Sequence, residues 1–155
     1  MTAMAVLGAQ RWAVLLCRFQ DSDLAVLQDP DHFRRMFEEP GHWNVRRYWR
    51  DVSNGHIDLA GSKVFGWREV PYTETELLEE SRYDKIRLCA EAFADEVDFS
   101  LFTGLIVVVN NTAAFDAGSV GRATFKLNDQ VRTLVQRRSR TNHVRLRQSC
   151  TIPWS

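Results

Sequence analysis

A chain of 155 residues that is 45% hydrophobic and 26% charged carries enough apolar material for one buried core, and too little charge bias for overall disorder. Its 20 basic and 20 acidic side chains cancel, so net charge gives no argument for a nucleic-acid or membrane partner. The three cysteines, Cys17, Cys89 and Cys150, are odd in number and widely spaced, which provides neither a C-x-x-C zinc framework nor a disulfide scaffold.

Cys17 and Cys89 stand in apolar contexts and are expected to be buried free thiols. The apolar start of the chain is split by Arg11 and follows no basic segment, so no signal peptide is read there. No small residue precedes Cys17, which argues against a lipoprotein signal. No apolar run approaches the ~20 residues a membrane-spanning helix needs. The expectation is a cytosolic protein, or one whose N-terminal segment lies outside this chain.

Trp12–Phe19 is an apolar run that predicts a buried strand, and Asp21-Ser22-Asp23 supplies turn chemistry after it. The two aspartates also suit calcium, but a hard cation wants six or more oxygens and few lie near, so a solvated loop is the plainer reading. Asp29-Pro30-Asp31 reads as a helix start, with Phe33, Met36 and Phe37 as its apolar face and Pro40-Gly41 as its stop. A second helix follows over Asn44–Ser53, with Asn44 as N-cap. Val45, Tyr48, Trp49 and Val52 recur at i, i+3, i+4, i+7 and define its core-facing side. Arg46, Arg47 and Arg50 suit a phosphate, or more plainly a solvated face with local acidic partners. Gly55 is placed for a left-handed helix stop. An extended segment follows through Ile57, Leu59, Val64, Phe65 and Trp67, interrupted at Gly61-Ser62 by a turn or bulge.

Pro71 closes that strand, and Thr73 with Glu76 matches a capping box. Tyr83, Ile86, Ala90, Phe93 and Val97, spaced three and four apart, predict a long helix with a buried stripe. The neighbouring acids Glu79-Glu80 and Asp95-Glu96 point apart on a helix and read as solvated surface rather than a catalytic pair. Gly104–Val109 is a strand apolar on both faces, as in a sheet covered by helices. Asn110-Asn111 lies at its carboxyl end, where ligands gather in open α/β sheets, and is a site candidate beside the plainer reading of a turn. Asp116-Ala117-Gly118-Ser119 and Gly121 make a further turn, and Ala123–Leu127 fits a hairpin strand.

From Lys126 the character changes. Lys126, Arg132, Arg137, Arg138, Arg140, Arg145 and Arg147 face a single acid, Asp129. Val131, Leu134 and Val135 keep helical spacing briefly. Three readings stay open: a flexible basic tail that meets nucleic acid or acidic surfaces non-specifically, an ordered helix covering the sheet, or an out-of-frame segment.

Four segments, in order, resemble the early part of the catalytic domain of the immune inhibitor A and gametolysin-like zinc metallopeptidases. That family has a strand ending in F-x-D, a helix of the type Y-[YW]-x-x-[VS]-S-x-G, and an apolar strand ending in G-W. Here they correspond to AVLLCRFQDS (Ala13–Ser22), RYWRDVSNG (Arg47–Gly55) and IDLAGSKVFGW (Ile57–Trp67). VDFSLFTGLIVVVNN (Val97–Asn111) is similar to the family's next buried strand, and the likeness spans Ala13–Thr124. It implies an α/β fold: a partial zincin-like (metzincin-like) domain over residues 1–125, with a three to four stranded mixed sheet and packed helices. Residues 126–155 would form a separate basic C-terminal segment.

The resemblance also implies zinc-dependent peptide hydrolysis and a largely extracellular setting. The family's zinc sits on H-E-x-x-H, two histidines on one helix face with the Glu as general base, usually completed by a third ligand. His32, His42, His56 and His143 are never four apart, and none precedes a Glu. No residue is therefore assigned as catalytic, metal-binding or cofactor-binding, and the chain ends about where that helix would begin. The expected protein is a truncated metallopeptidase-like chain, inactive alone. The alternative is a non-catalytic module that holds a protein or peptide through an exposed sheet edge or the basic tail.

Overall fold

In the computed structural model, residues 7–24, 27–40 and 44–110 are described in full, together with the backbone of three strands, Gly121–Leu127, Gln130–Gln136 and Gln148–Thr151. The rest of the architecture is laid on strand β2, Trp12–Arg18. Its side chains alternate between two cores. Ala13, Leu15 and Cys17 enter one, and Trp12, Val14 and Leu16 enter the other. A strand buried on both faces needs a paired neighbour on each edge. β4 (Lys63–Glu69) and β5 (Gly104–Asn110) fill those places, both parallel to β2.

Parallel neighbours need crossover connections, and helices supply them. From β2 the chain runs through α1 (Pro30–Phe37) and α2 (Val45–Val52) to β4. From β4 it runs through α3 (Glu74–Glu79) and α4 (Arg82–Glu91) to β5. The two pairs cover opposite faces: Phe33, Phe37, Val45 and Trp49 share a core with Val14 and Leu16, whereas Leu77, Ile86, Cys89 and Ala90 share one with Leu15 and Cys17. β4 and β5 lie on opposite sides of β2, so two crossovers of the same hand must use opposite faces. This is a doubly wound α/β arrangement.

The caps expected from sequence are made. Asp29, Asn44 and Thr73 each accept a backbone N–H in the first turn of the following helix, and Thr73 and Glu76 complete the reciprocal box. The second helix ends at Val52; Asn54 is the first left-handed residue at φ +51°, and Gly55 follows at φ +79° with its N–H donating to the Arg50 carbonyl at 2.7 Å. Gly61 turns at φ +86°, where a Cβ would fall 3.0 Å from the Arg11 side chain. The bulge in this region lies further on, within β4. Leu15 pairs with Phe65 but Cys17 pairs with Arg68, so an extra residue reverses the facing of the strand after Gly66. Trp67 thereby turns to the α1 side, edge-on to Phe33 at 6.0 Å, with its indole N–H donating to the Gln28 carbonyl at 2.6 Å. Arg68 turns to the α4 side, over the Phe93 ring.

Several expectations are corrected. The sheet is not three to four stranded: among the described residues the main sheet has six strands, in the order β4, β2, β5, β7 (Gln130–Gln136) and β6 (Gly121–Leu127), with β8 (Gln148–Thr151) antiparallel to β5. A separate two-stranded sheet joins β1 (Gly8–Ala9) to β3 (Ile57–Asp58). The helical spacing at Val131, Leu134 and Val135 does not make a helix, because Gln130–Gln136 is β7, hairpin partner of β6 (Gly121–Leu127). Backbone pairing with a neighbour overrides a short periodic signal there. The expected hairpin strand at Ala123–Leu127 is thus present, two residues longer at its start.

The core-facing side of α2 is narrower than its spacing predicts. Val45 and Trp49 pack inward, Trp49 edge-on to Trp12 at 6.4 Å, while Tyr48 and Val52 are exposed. The predicted stripe on α4 holds for Ile86 and Ala90, but Tyr83 is partly exposed in the first turn. The helix stops at Glu91, and Phe93 and Val97 reach the core from the turns beyond it.

Candidate functional site

In a doubly wound sheet the ligand crevice lies outside the carboxyl ends of the strands, where successive connections leave in opposite directions. That point falls at the ends of β2 and β5. Arg18 closes β2, Glu69 closes β4 and Asn110 closes β5. Parallel alignment brings Arg18 beside Glu69, and they form an ion pair at 2.7 Å with both side chains partly open to solvent. Asn110 ends β5 half-buried, in backbone register with Gln148 of β8. Its sequence neighbour Asn111 lies outside the described residues.

The β2–β4 side of this edge is closed by its own hydrogen bonds. The Val70 N–H donates to the Arg18 carbonyl at 2.9 Å, and the Gln20 N–H to the Tyr72 carbonyl at 3.0 Å. The Asp21 carboxylate accepts the Glu74 N–H at 3.0 Å, and the Ser22 hydroxyl accepts the Phe19 N–H at 2.9 Å. Asp21-Ser22 is therefore a turn that ties β2 to the start of α3.

The other candidates are drawn into local structure. Arg46 binds the Asp58 carboxylate at 3.1 Å, and Arg47 binds Asp51 at 3.2 Å. Partial burial opposes the charged form of Asp58, but hydrogen bonds from Arg46 and the Ala60 N–H outweigh it and hold the carboxyl below its ordinary range. Arg46 and Arg47 are therefore each paired with a nearby carboxylate, and Arg50 also acts on Asp58. Asp95 and Glu96 both face Arg68, whose guanidinium also donates to the Ala92 carbonyl at 2.7 Å. This hydrogen-bonded cation lowers the Asp95 carboxyl. The pair is thus a clamp between β4 and the turn after α4, not an acid–base couple.

Zinc, the cofactor of the resembling family, is held by His, Cys, Asp or Glu side chains that meet at one point. Among the described residues no three such side chains come together as a metal site. His32 lies on α1 with its ring edge-on to Phe33 at 5.4 Å, and His56 lies in the turn before β3. His42 and His143 are outside the described residues. Among the described residues no helix is long and apolar enough to cross a membrane.

Two arrangements were not read from sequence. Arg18 and Glu69 are far apart in the chain, and only the bulge-shifted register of β4 sets them side by side. Cys17 and Cys89, each expected to be a buried free thiol, are both fully buried and free, and nothing in their spacing told that they would share one core. Comparison of the chain with protein-family models, curated proteins and solved structures gave no match.

Proposed function

We propose that this chain is a metallopeptidase-like, zincin-like domain that is non-catalytic by itself. The observation that carries the reading is how the resembling segments are arranged. Ala13–Ser22 and Ile57–Trp67 contain most of β2 and β4, and Val97–Asn111 contains all of β5, three adjacent parallel strands. Arg47–Gly55 contains most of the helix that packs against β2 through Trp49. Segments paired only by their order in a family likeness form one continuous platform here. The 155 residues contain no H-E-x-x-H, so the helix-borne pair of imidazoles and the general-base Glu of the resembling family have no counterpart motif here.

The test is hydrolysis of a fluorogenic peptide library by the purified chain, with added zinc and with a chelator. No chelator-sensitive cleavage is expected. Cleavage that rises with zinc and disappears on chelation would overturn the reading. A non-catalytic binding module is the second reading. The observation favouring it is that, among the described strands, β4 stands at the rim of the main sheet beside β2. Capture of an extended peptide by the purified chain, mapped to β4 by protection of its outward backbone N–H groups from hydrogen exchange, would favour that reading over a platform with no ligand of its own.

A further inference from the structure

We propose that Asn54-Gly55, in the turn that follows α2, is a site of spontaneous deamidation gated by the opening of that helix end. Of the chain's six asparagines, Asn54 alone precedes a glycine. An asparagine loses its side-chain amide when the backbone nitrogen of the next residue attacks its Cγ, and a glycine there puts no Cβ in the way. Both residues are exposed, and a Cβ placed on Gly55 would meet no atom within 4 Å, so the cyclic intermediate and water have room. Among the described residues the Asn54 carboxamide has no hydrogen-bond partner, while its backbone N–H donates to the Asp51 carbonyl at 3.2 Å. One contact holds the reaction back. The attacking nitrogen, that of Gly55, donates its hydrogen to the Arg50 carbonyl at 2.7 Å. It becomes free to attack when that bond opens. No residue of α2 is fully buried, and Arg50, Asp51 and Val52 of its last turn are exposed, so this end opens far more readily than the core elements.

The Gly55 nitrogen gives its proton to solvent and bonds to Asn54 Cγ. The Cγ–Nδ2 bond breaks, and the departing nitrogen takes a proton from solvent and leaves as ammonia. A cyclic succinimide remains, and water opens it at either carbonyl. Attack at the former main-chain carbon gives iso-aspartate, in which the chain runs through Cβ and Cγ; attack at Cγ gives aspartate. Overall one amide and one water become one carboxylic acid and one ammonia. The product alters a junction. The Ser53 Oγ accepts the Ile57 N–H at 2.9 Å, the Ser53 carbonyl accepts the His56 N–H at 3.1 Å, and the His56 carbonyl accepts the Gly8 N–H at 2.6 Å where β1 meets β3. An extra backbone carbon displaces these partners, and the new carboxylate lies at the carboxyl end of a helix, where negative charge is disfavoured. Modification therefore loosens α2 and the β1–β3 pair together.

The experiment incubates the full chain at mildly alkaline pH, folded and in parallel in urea. Samples are digested with trypsin, and the peptide Asp51–Lys63, in which Asn54 is the one asparagine, is resolved by liquid chromatography and mass spectrometry. The folded chain is expected to lose Asn54 before its other asparagines, several-fold more slowly than in urea, with iso-aspartate the larger product. Ser53→Ala, which removes the Ile57 contact and is checked for folding by circular dichroism, is expected to speed the folded reaction and leave the rate in urea unchanged. Hydrogen exchange at the Gly8 and Ile57 N–H groups is expected to be faster in the iso-aspartyl form. An intact Asn54 in the folded chain after the urea sample has been fully converted would overturn the proposal. So would equal rates folded and in urea, aspartate without iso-aspartate, earlier loss of another asparagine, a folded Ser53→Ala chain that reacts no faster, or unchanged exchange in the iso-aspartyl form.

Discussion

Ser62 shows how much one buried hydroxyl can hold. It is nearly inaccessible, and its Oγ accepts the Trp12 N–H at 3.0 Å at the start of the central strand. Ser62→Ala leaves that N–H buried without an acceptor, and is expected to cost about 1–3 kcal/mol in urea unfolding. Asp95 gives a pH-dependent counterpart. Its folded carboxyl is lowered from 3.8 by the hydrogen bond from Arg68, so it binds its proton less readily than in the unfolded chain. Its contribution is present above the unfolded value and is lost as pH falls through the folded one. Asp95→Asn is therefore expected to be less stable than wild type at neutral pH, and the gap is expected to close below about pH 4. Urea midpoints measured across pH check this, and a gap that persists at low pH would contradict it. The effect will be small and salt-sensitive, because the Asp95 side chain is mostly exposed.

At the scale of elements, β4 is one of the two strands that end the strand order of the main sheet, and a sheet edge needs covering. Glu38, at the end of α1, reaches it and accepts the Val64 N–H at 2.6 Å. Glu38→Ala is expected to cost about 1–2 kcal/mol and to increase self-association through the uncapped edge, measured by light scattering. Elements defined by local chemistry were legible in the sequence. The caps at Asp29, Asn44 and Thr73 need only residues a few positions away, and β2 and β5 announce themselves as unbroken apolar runs. Elements defined by distant partners were not. Val131, Leu134 and Val135 satisfy a helical spacing over too few residues to decide, and pairing with β6 makes them a strand. Gly8-Ala9 has no pattern of its own and becomes a strand only against Ile57-Asp58. The bulge near Gly66 is invisible in the order of residues, yet it decides which cores receive Trp67 and Arg68.

For the molecule as a whole, β2 is the shared wall of two cores, so damage to it is felt on both faces. Leu15→Ala, at a fully buried position between β4 and β5, is expected to cost about 2–5 kcal/mol in urea unfolding. The carboxyl edge of the sheet was partly legible, through Asn110 at the end of an apolar run. The Arg18–Glu69 pair was not, because it depends on the register between strands separated by two helices. The same limit applies to zinc chemistry: a ligand set is a meeting of side chains, and sequence reports it directly only when the spacing lies within one helix, as in H-E-x-x-H. The central claim is that this platform has no zinc centre of its own, and metal content tests it most directly. The chain should be purified after growth in zinc-replete medium and its bound zinc measured per polypeptide. The account predicts far less than one zinc per chain; about one tightly held zinc per chain, retained through dialysis, would contradict it.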